Sequence, residues 1–173
     1  MIKKEKYSAA ILVIGDEILS GRTQDTNSNY IAKELEMMGI TTSEIRVIPD
    51  EKSIIIYSVN ELRNKNNYLF TTGGIGPTHD DITADSIAEA FGVDLEVNSE
   101  AYDILKKYYK AIGSEFNEVR QRMARIPIGA TLIKNPISAA PGFKIDNVFV
   151  FAGIPKIMKS MLDNSLDFLN KGN

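Results

Sequence analysis

A glycine-rich segment followed by two carboxylates is the part of this sequence best suited to chemistry. Residues 69–83 read LFTTGGIGPTHDDIT, so an apolar run leads through three glycines to Asp80 and Asp81. The pattern predicts a strand, a phosphate-binding loop and a helix, because glycine permits positive φ and lets backbone N–H groups approach an anion. The loop residues predicted to bind the ligand are Thr72, Gly73, Gly74, Ile75 and Gly76.

Further carboxylates follow two other predicted strands. Asp16 and Glu17 come directly after the apolar run 8–14, and Asp50 follows the run 42–48. Ligands of open α/β sheets bind beyond the carboxyl ends of the strands, so these side chains are expected to face the same crevice as the loop. For Asp16 and Glu17 the alternative is a solvated turn, and Asp50 is also well placed to cap the next helix.

The acidic residues predict a divalent cation held against ligand phosphates. Oxygen ligands, with no cysteine and one histidine in the chain, suit Mg²⁺, Mn²⁺ or Co²⁺ better than zinc. Such an ion would neutralise phosphate charge and activate water. The predicted metal ligands are Asp81, Asp80, Asp50 and Glu17. The alternative for the whole segment is a glycine turn in which Asp81 caps the following helix.

Several other side chains have two interpretations each. His79, the only histidine, either contacts phosphate or is an exposed loop residue. Asn117, Arg120 and Arg122 either reach ligand phosphates or a neighbouring subunit, or form a solvated helix face. The aromatic residues Tyr108, Tyr109, Phe149 and Phe151 are predicted to lie in the core or at an interface.

The composition predicts one ordinary globular domain. The chain has 173 residues, 43% of them hydrophobic, and we treat residues 1–173 as a single domain. The absence of cysteine excludes disulfides and thiolate chemistry and fits a reducing compartment, so we expect a cytoplasmic protein. A net charge of −3 does not favour nucleic acid, and no apolar run is long enough to span a membrane.

Alternation of strand and helix patterns predicts an α/β fold with a mostly parallel sheet between helical layers. Predicted strands lie at 8–14, 42–48, 68–71, 94–97 (an edge strand), 130–133, 141–145 and 148–152. Six helices are predicted. The first ends at 38, the second begins after Asp50, the next three cover 82–91, 100–112 and 115–124, and the last begins at Pro155. Residues 127–129 are predicted to form a loop, because they contain a proline and a glycine.

These motifs together resemble a known family. They are G-D-E at 15–17, D-x-N at 25–27, P-D-E at 49–51, T-T-G-G-x-G-P-x-x-D-D-x-T at 71–83, N-P at 135–136, A-P-G at 140–142 and G-x-P at 153–155. The set is similar to the MoaB/Mog molybdopterin-binding family, and within it to the N-terminal domain of CinA-type proteins and the related domain of FAD synthases. Further ligand-binding candidates from these motifs are Gly15, Asp16, Ser138, Pro141 and Gly142, although a turn alone explains the Pro-Gly pair.

The resemblance implies a three-layer α/β/α sandwich and a site for a phosphorylated pterin or nucleotide-like molecule. It implies Asp50 and Asp81 as the catalytic pair, and commonly a homo-oligomer, trimeric or dimeric. Mog-type chemistry is adenylyl transfer to molybdopterin in cofactor biosynthesis, whereas CinA-type chemistry is hydrolysis of ADP-ribose- or FAD-like pyrophosphates; a non-catalytic binding module is the other alternative. Ile75 stands where the Mog loop has threonine, which favours the CinA branch, and no C-terminal deamidase domain is expected because the sequence ends at Asn173.

Overall fold

The computed structural model describes residues 6–172 and contains eight strands in two sheets within that range. The strands are β1 (Tyr7–Ile14), β2 (Ile40–Ile48), β3 (Tyr68–Thr72), β4 (Leu95–Val97), β5 (Arg125–Pro127), β6 (Thr131–Ile133), β7 (Gly142–Ile145) and β8 (Val148–Phe151). The helices are α1 (Asp16–Leu19), α2 (Asn27–Met37), α3 (Lys52–Lys65), α4 (Thr83–Phe91), α5 (Ser99–Ala111), α6 (Glu118–Gln121) and α7 (Pro155–Asp163). Short 3₁₀ turns cover Arg122–Ala124 and Leu166–Phe168.

The main sheet has six strands in the order β2-β1-β3-β8-β7-β6. The first four are parallel, and β7 runs antiparallel to both of its neighbours. The mostly parallel α/β fold is therefore confirmed. Because the four parallel strands point the same way, the loops after β1, β2, β3 and β8 all leave the sheet at one edge, as the site prediction requires.

Helices cover both faces of this sheet, which gives the predicted three layers. Alternate residues of β1 enter two separate cores, with Leu12 in the core beneath α3, α4 and α5, and Ile11 in the core beneath α2 and α7. The second core contains the buried rings of Phe70, Phe149 and Phe151, and the first two stack with centroids 4.9 Å apart. Within residues 6–172, no helix combines the length and the apolar character needed to cross a bilayer.

The segment between α4 and β6 differs most from the prediction. Residues 94–97 do not form an edge strand of the main sheet; β4 pairs antiparallel with β5 in a separate ribbon. The predicted loop at 127–129 accordingly starts later, because Pro127 is the last residue of β5. The predicted helix 115–124 is reduced to α6 and a 3₁₀ turn. Helix α6 begins only at Glu118, because the Asn117 side chain caps it by accepting from the Arg120 N–H at 3.0 Å.

The ends of β3 and β8 approach closely at a pair of glycines. Gly73 has φ of 99° and donates its N–H to the carbonyl of Phe151 at 3.1 Å. A Cβ placed on Gly73 would collide with the carbonyl oxygen of Ile14 at the end of β1, and one on Gly153 would lie 3.3 Å from the Gly73 Cα. Glycine at 73 is thus required both by its φ and by the backbone packed against it.

We expect Gly73→Ala to destabilise the protein more than Gly21→Ala. Both positions have positive φ, so alanine costs about 1–2 kcal/mol at either one. A Cβ at Gly21 meets open space, whereas at Gly73 it meets strand backbone that cannot rotate away. Urea unfolding of the two variants beside the wild type measures the difference in the free energy of unfolding. Equal losses in both variants would contradict the close approach described here.

Candidate functional site

A cavity of about 470 Å³ lies at the edge of the sheet where the parallel strands end. It is lined by Glu17, Thr23, Gly73, Gly74, Ile75, Gly76, Pro77, Asp81, Met123, Asn135, Ser138, Ala140, Ala152, Gly153, Ile154, Pro155 and Ile157. A groove of about 900 Å³ runs along α3 and contains none of the predicted site residues. The smaller cavity is the candidate site, because it collects loop glycines, carboxylates and apolar side chains in a volume typical of small-molecule sites.

The glycine loop presents backbone donors to this cavity. Two of its groups are used internally: the Gly73 N–H bonds to Phe151, and the Gly74 carbonyl accepts from Thr83 N at 3.0 Å. The buried Thr83 hydroxyl also donates to the Gly73 carbonyl, which ties the loop to the start of α4. No acceptor within residues 6–172 is found for the N–H groups of Gly74, Ile75 and Gly76. Thr72, the last residue of the buried strand β3, does not line this cavity.

Asp81 lines the cavity and shapes the loop. Its Oδ2 accepts from the backbone N–H of Thr78 at 3.0 Å and from the Thr78 hydroxyl at 2.9 Å. A Cβ on Gly76 would lie 2.7 Å from the same oxygen, so a side chain there would displace the carboxylate. The alternative that Asp81 caps α4 is wrong: Ile82 occupies the N-cap, without a side-chain hydrogen bond. One oxygen of Asp81 remains for a ligand or cation.

Asp16 and Asp50 join the ends of β1 and β2. The backbone N–H of Asp16 donates to Asp50 Oδ2 at 3.1 Å, and that of Asp50 donates to Asp16 Oδ1 at 3.3 Å. The expectation that Asp50 caps α3 is therefore wrong, and Glu51 holds that position. Gly15 fixes the same corner by donating its N–H to the Ile48 carbonyl at 3.0 Å. Neither Gly15 nor the Asp16–Asp50 pair lines the main cavity.

Burial raises the pKa of Asp50 above its ordinary value of 3.8. The negative charges of Asp16, Glu17 and Asp81 raise it further, while the hydrogen bond from Asp16 N–H acts in the opposite direction. The Oδ1 atom of Asp50 lies 3.6 Å from the position a Cβ on Gly74 would take, so this carboxylate adjoins the loop. The acidic residues after β1, after β2 and in the loop are thus close enough to influence one another.

Asp80 does not join this acidic set. Its side chain is 83% exposed and contacts His79, which is 89% exposed, and neither residue lines the cavity. The structure therefore does not bring Asp80 to the position expected of a metal ligand, and His79 is an exposed loop residue. The neighbouring carboxylates of Asp80 and Asp81 point to different surroundings.

The carboxylates form no ready-made metal cage. Among the residues that the structure describes, no group of three or more His, Asp or Glu side chains is arranged to hold an ion. The cavity offers two carboxylates, Glu17 and Asp81. This donor set fits Mg²⁺, which binds through one or two carboxylates and takes its other oxygens from water and phosphate.

A turn between β6 and β7 forms another wall. Asn135, 5% exposed, donates from Nδ2 to the Ser138 hydroxyl at 2.7 Å and to the Ala140 carbonyl at 2.9 Å, and its Oδ1 accepts two backbone N–H groups. These bonds hold Ala139 at φ of 70°. Ser138 lines the cavity as expected. Gly142 lies instead against the Val150 carbonyl, and Pro141 borders a smaller neighbouring cavity.

Sequence reasoning missed part of the lining. Asn135 and Gly153 belong to the N-P and G-x-P motifs, but the sequence alone gives neither of them a site role. The buried amide of Asn27 donates to the Gly153 carbonyl at 2.8 Å and holds the loop after β8 beside the glycine loop. The apolar lining had no signal of its own, since isolated Ile and Met residues in loops are ordinary. The largest of the missed apolar residues are Met123, Ile154 and Ile157.

The fold and the cavity define an α/β domain with a candidate small-molecule site where its parallel strands end. Residues 10–171 match the family described as "Probable molybdopterin binding domain". The chain belongs to this family, in its MoaB/Mog and CinA-like part.

Individual relatives agree with this assignment. A CinA-like protein of Citrifermentans bemidjiense is 37% identical over 161 residues, which are 91% of this chain and 39% of that protein. The crystal structure of CinA from Thermoplasma acidophilum, a protein of unknown function, superposes with a TM-score of 0.86 at 30% identity, covering 93% of this chain and 98% of that one. MoaB from Thermus thermophilus, described as a molybdopterin biosynthesis enzyme, shares the fold (TM-score 0.64, 20% identity, 94% and 91% covered). The chain spans 63% and 64% of the length of two further relatives.

We expect Asp50→Asn to raise the melting temperature at pH 7. A carboxyl group with a raised pKa in the folded state destabilises the fold once it ionises, so the penalty is absent below about pH 3.8 and complete above the folded-state pKa. Asparagine removes the charge but can still accept from Asp16 N–H. The gain is expected to shrink as the pH falls toward 4, in melting curves recorded with EDTA.

Asp80→Asn is the matched control, because it removes the same charge at an exposed position. Its melting temperature is expected to follow the wild type at every pH. If Asp50→Asn melts at or below the wild-type temperature at pH 7, the pKa of Asp50 does not carry the stated penalty.

Proposed function

We propose that this domain binds a phosphorylated pterin- or nucleotide-like molecule and hydrolyses the pyrophosphate bond of ADP-ribose- or FAD-type compounds with a divalent cation. The observation that carries the proposal is the pairing of free backbone donors with carboxylates in one cavity. Three successive N–H groups, those of Gly74, Ile75 and Gly76, have no acceptor within the described chain, and Asp81 and Glu17 line the same space. Donors bind phosphate oxygens, while carboxylates beside phosphate suit a bridging cation.

The remaining lining suits a flat aromatic ring system. Ile75, Met123, Ile154 and Ile157 give apolar surface beside the polar loop. Ligand sites commonly combine a mostly apolar wall with a few placed polar groups. The pterin class is supported by the family description and by the MoaB relatives of the same fold, which are named for molybdopterin or tungsten cofactor synthesis.

In the proposed hydrolysis, water attacks one phosphorus and the P–O bond to the bridging oxygen breaks, so ADP-ribose gives AMP and ribose 5-phosphate. The loop N–H groups would hold phosphate oxygens, and Asp81 and Glu17 would hold the cation, which when bound would neutralise phosphate charge and lower the pKa of a bound water. The base in this proposal is Asp50, which adjoins the loop at Gly74 although it does not line the cavity, and it would accept the proton from that water. Burial and neighbouring negative charges raise the pKa of this carboxyl group.

A binding module without catalysis is the second candidate. The observation that favours it is the lack of any cluster of three metal-binding side chains among residues 6–172. In that case the loop and the apolar wall would hold the ligand, and the carboxylates would fix only the loop, as Asp81 does through Thr78.

We expect Asp81→Asn to abolish AMP release. The test incubates the protein with ADP-ribose or FAD, and separately with ATP plus molybdopterin, each with Mg²⁺, Mn²⁺ or Co²⁺, and measures AMP and adenylylated product by chromatography. Asparagine still accepts from Thr78 but no longer provides a charged ligand, so turnover should fall by at least about 100-fold.

Asp80→Asn is the control, and it should keep wild-type turnover because Asp80 is outside the cavity. Adenylylated product from ATP and molybdopterin would instead assign the protein to adenylyl transfer. Saturable binding of these compounds without any turnover would remove the hydrolase proposal and leave the binding module.

A further inference from the structure

The main cavity is acidic. Among residues 6–172, Glu17 and Asp81 line it, and no lysine or arginine does. A ligand with several phosphate charges needs cationic partners besides backbone donors and a metal ion. Basic side chains do line a smaller cavity of about 20 Å³, which shares Ile75, Gly76, Asp81 and Met123 with the main one. This smaller cavity is lined by Arg122 and Arg125.

The segment from α6 to β5 carries three arginines, at 120, 122 and 125, and two of them already have partners within the protein. The two terminal nitrogens of Arg125 bind the carboxylate of Asp85 at 3.3 and 3.1 Å. Arg120 donates to the Ser114 hydroxyl at 2.8 Å, and its guanidinium lies 4.5 Å from the centre of the Tyr109 ring. Both side chains therefore have structural roles.

Arg122 differs from both neighbours because no ion pair and no side-chain hydrogen bond within residues 6–172 involves it. Its buried Nε has no partner; the Nε of Arg125 has none either, but the terminal nitrogens of Arg125 bind Asp85. A buried guanidinium nitrogen without an acceptor is costly, so it fits a site whose acceptor comes from a bound molecule. The backbone at this position is held in regular structure. Arg122 is the first residue of a 3₁₀ turn that ends at the buried Ala124, and the chain continues directly into β5.

We propose that Arg122 binds a phosphate group of the ligand at the junction of the two cavities. The smaller cavity has room for one oxygen or a water rather than a whole phosphate, so the phosphorus would lie toward the main cavity, with one oxygen directed to the guanidinium. The Gly76 end of the loop borders the same junction. The inference rests on the proposed function only in taking the ligand to be phosphorylated.

The assignment places the anionic part of the ligand. Phosphate charge would lie between the loop donors and Arg122, beside the Asp81 carboxylate and any cation it holds. The ring system would then occupy the apolar wall formed by Ile154 and Ile157. Arg122 is thus a specificity residue that separates phosphorylated compounds from neutral analogues of the same ring.

The test measures affinity by titration calorimetry for ADP-ribose, inorganic pyrophosphate and adenosine, with and without Mg²⁺. Arg122→Gln is expected to weaken binding of the two phosphorylated probes by roughly ten- to a hundred-fold, the range for one hydrogen bond to a charged group. Its affinity for adenosine should not change. Arg122→Lys should keep part of the affinity, because it retains charge without the guanidinium fork.

Arg120→Gln is the matched control. It removes the same charge two residues away but lines neither cavity, so it should bind the probes as the wild type does. Circular dichroism verifies folding; should Arg122→Gln fail to fold, Arg122→Lys carries the test with a smaller expected loss.

The outcomes separate this inference from the hydrolase proposal. Unchanged affinity of folded Arg122 variants for ADP-ribose and pyrophosphate would overturn the anion site and mean that the small cavity holds only water. No binding of any phosphorylated probe by the wild type would overturn it as well. If binding depends on Arg122 but no AMP is released, the anion site is supported and only the hydrolase proposal is rejected.

Discussion

The site depends on a close backbone contact between the ends of two parallel strands. Gly73 donates to the Phe151 carbonyl, and Gly153 packs against the Gly73 Cα. Asn27 holds the second of these glycines from the start of α2. Since neither position carries a side chain, the β3 and β8 ends meet directly, and both glycines line the cavity.

This geometry also gathers negative charge. The ends of β1 and β2 are joined through Asp16 and Asp50, and Asp81 comes to the same edge through the loop. Burial and repulsion between the carboxylates raise the pKa of Asp50. Ionisation of Asp50 in the absence of a ligand therefore lowers the free energy of unfolding. A cation or a hydrogen-bonded ligand relieves such repulsion, which is the physical reason for linking the acidic cluster to function.

The parts of the fold that sequence predicts well are those with strong local signals. β1 and β3 are continuous apolar runs, and the glycine loop between β3 and α4 follows from residue types alone. The roles of Asp50 and Asp81 did not follow, because both replace the expected helix cap with a bond to a backbone N–H elsewhere. Likewise the β4–β5 ribbon pairs residues about thirty positions apart, and short strands of this kind have no periodicity to detect.

The least predictable segment is also the one that completes the site. The glycine loop and the turn held by Asn135 are fixed by hydrogen bonds within the sheet edge. Arg122 and Met123 come instead from the segment between α6 and β5, outside the main sheet. The sheet therefore positions the glycine loop and the acidic residues. The separate segment provides the remaining wall and, among the described lining residues, the only arginine or lysine without an ion pair or side-chain hydrogen bond. Differences in ligand choice between domains of this architecture are for that reason expected to arise in this segment, where substitutions leave the strand ends intact.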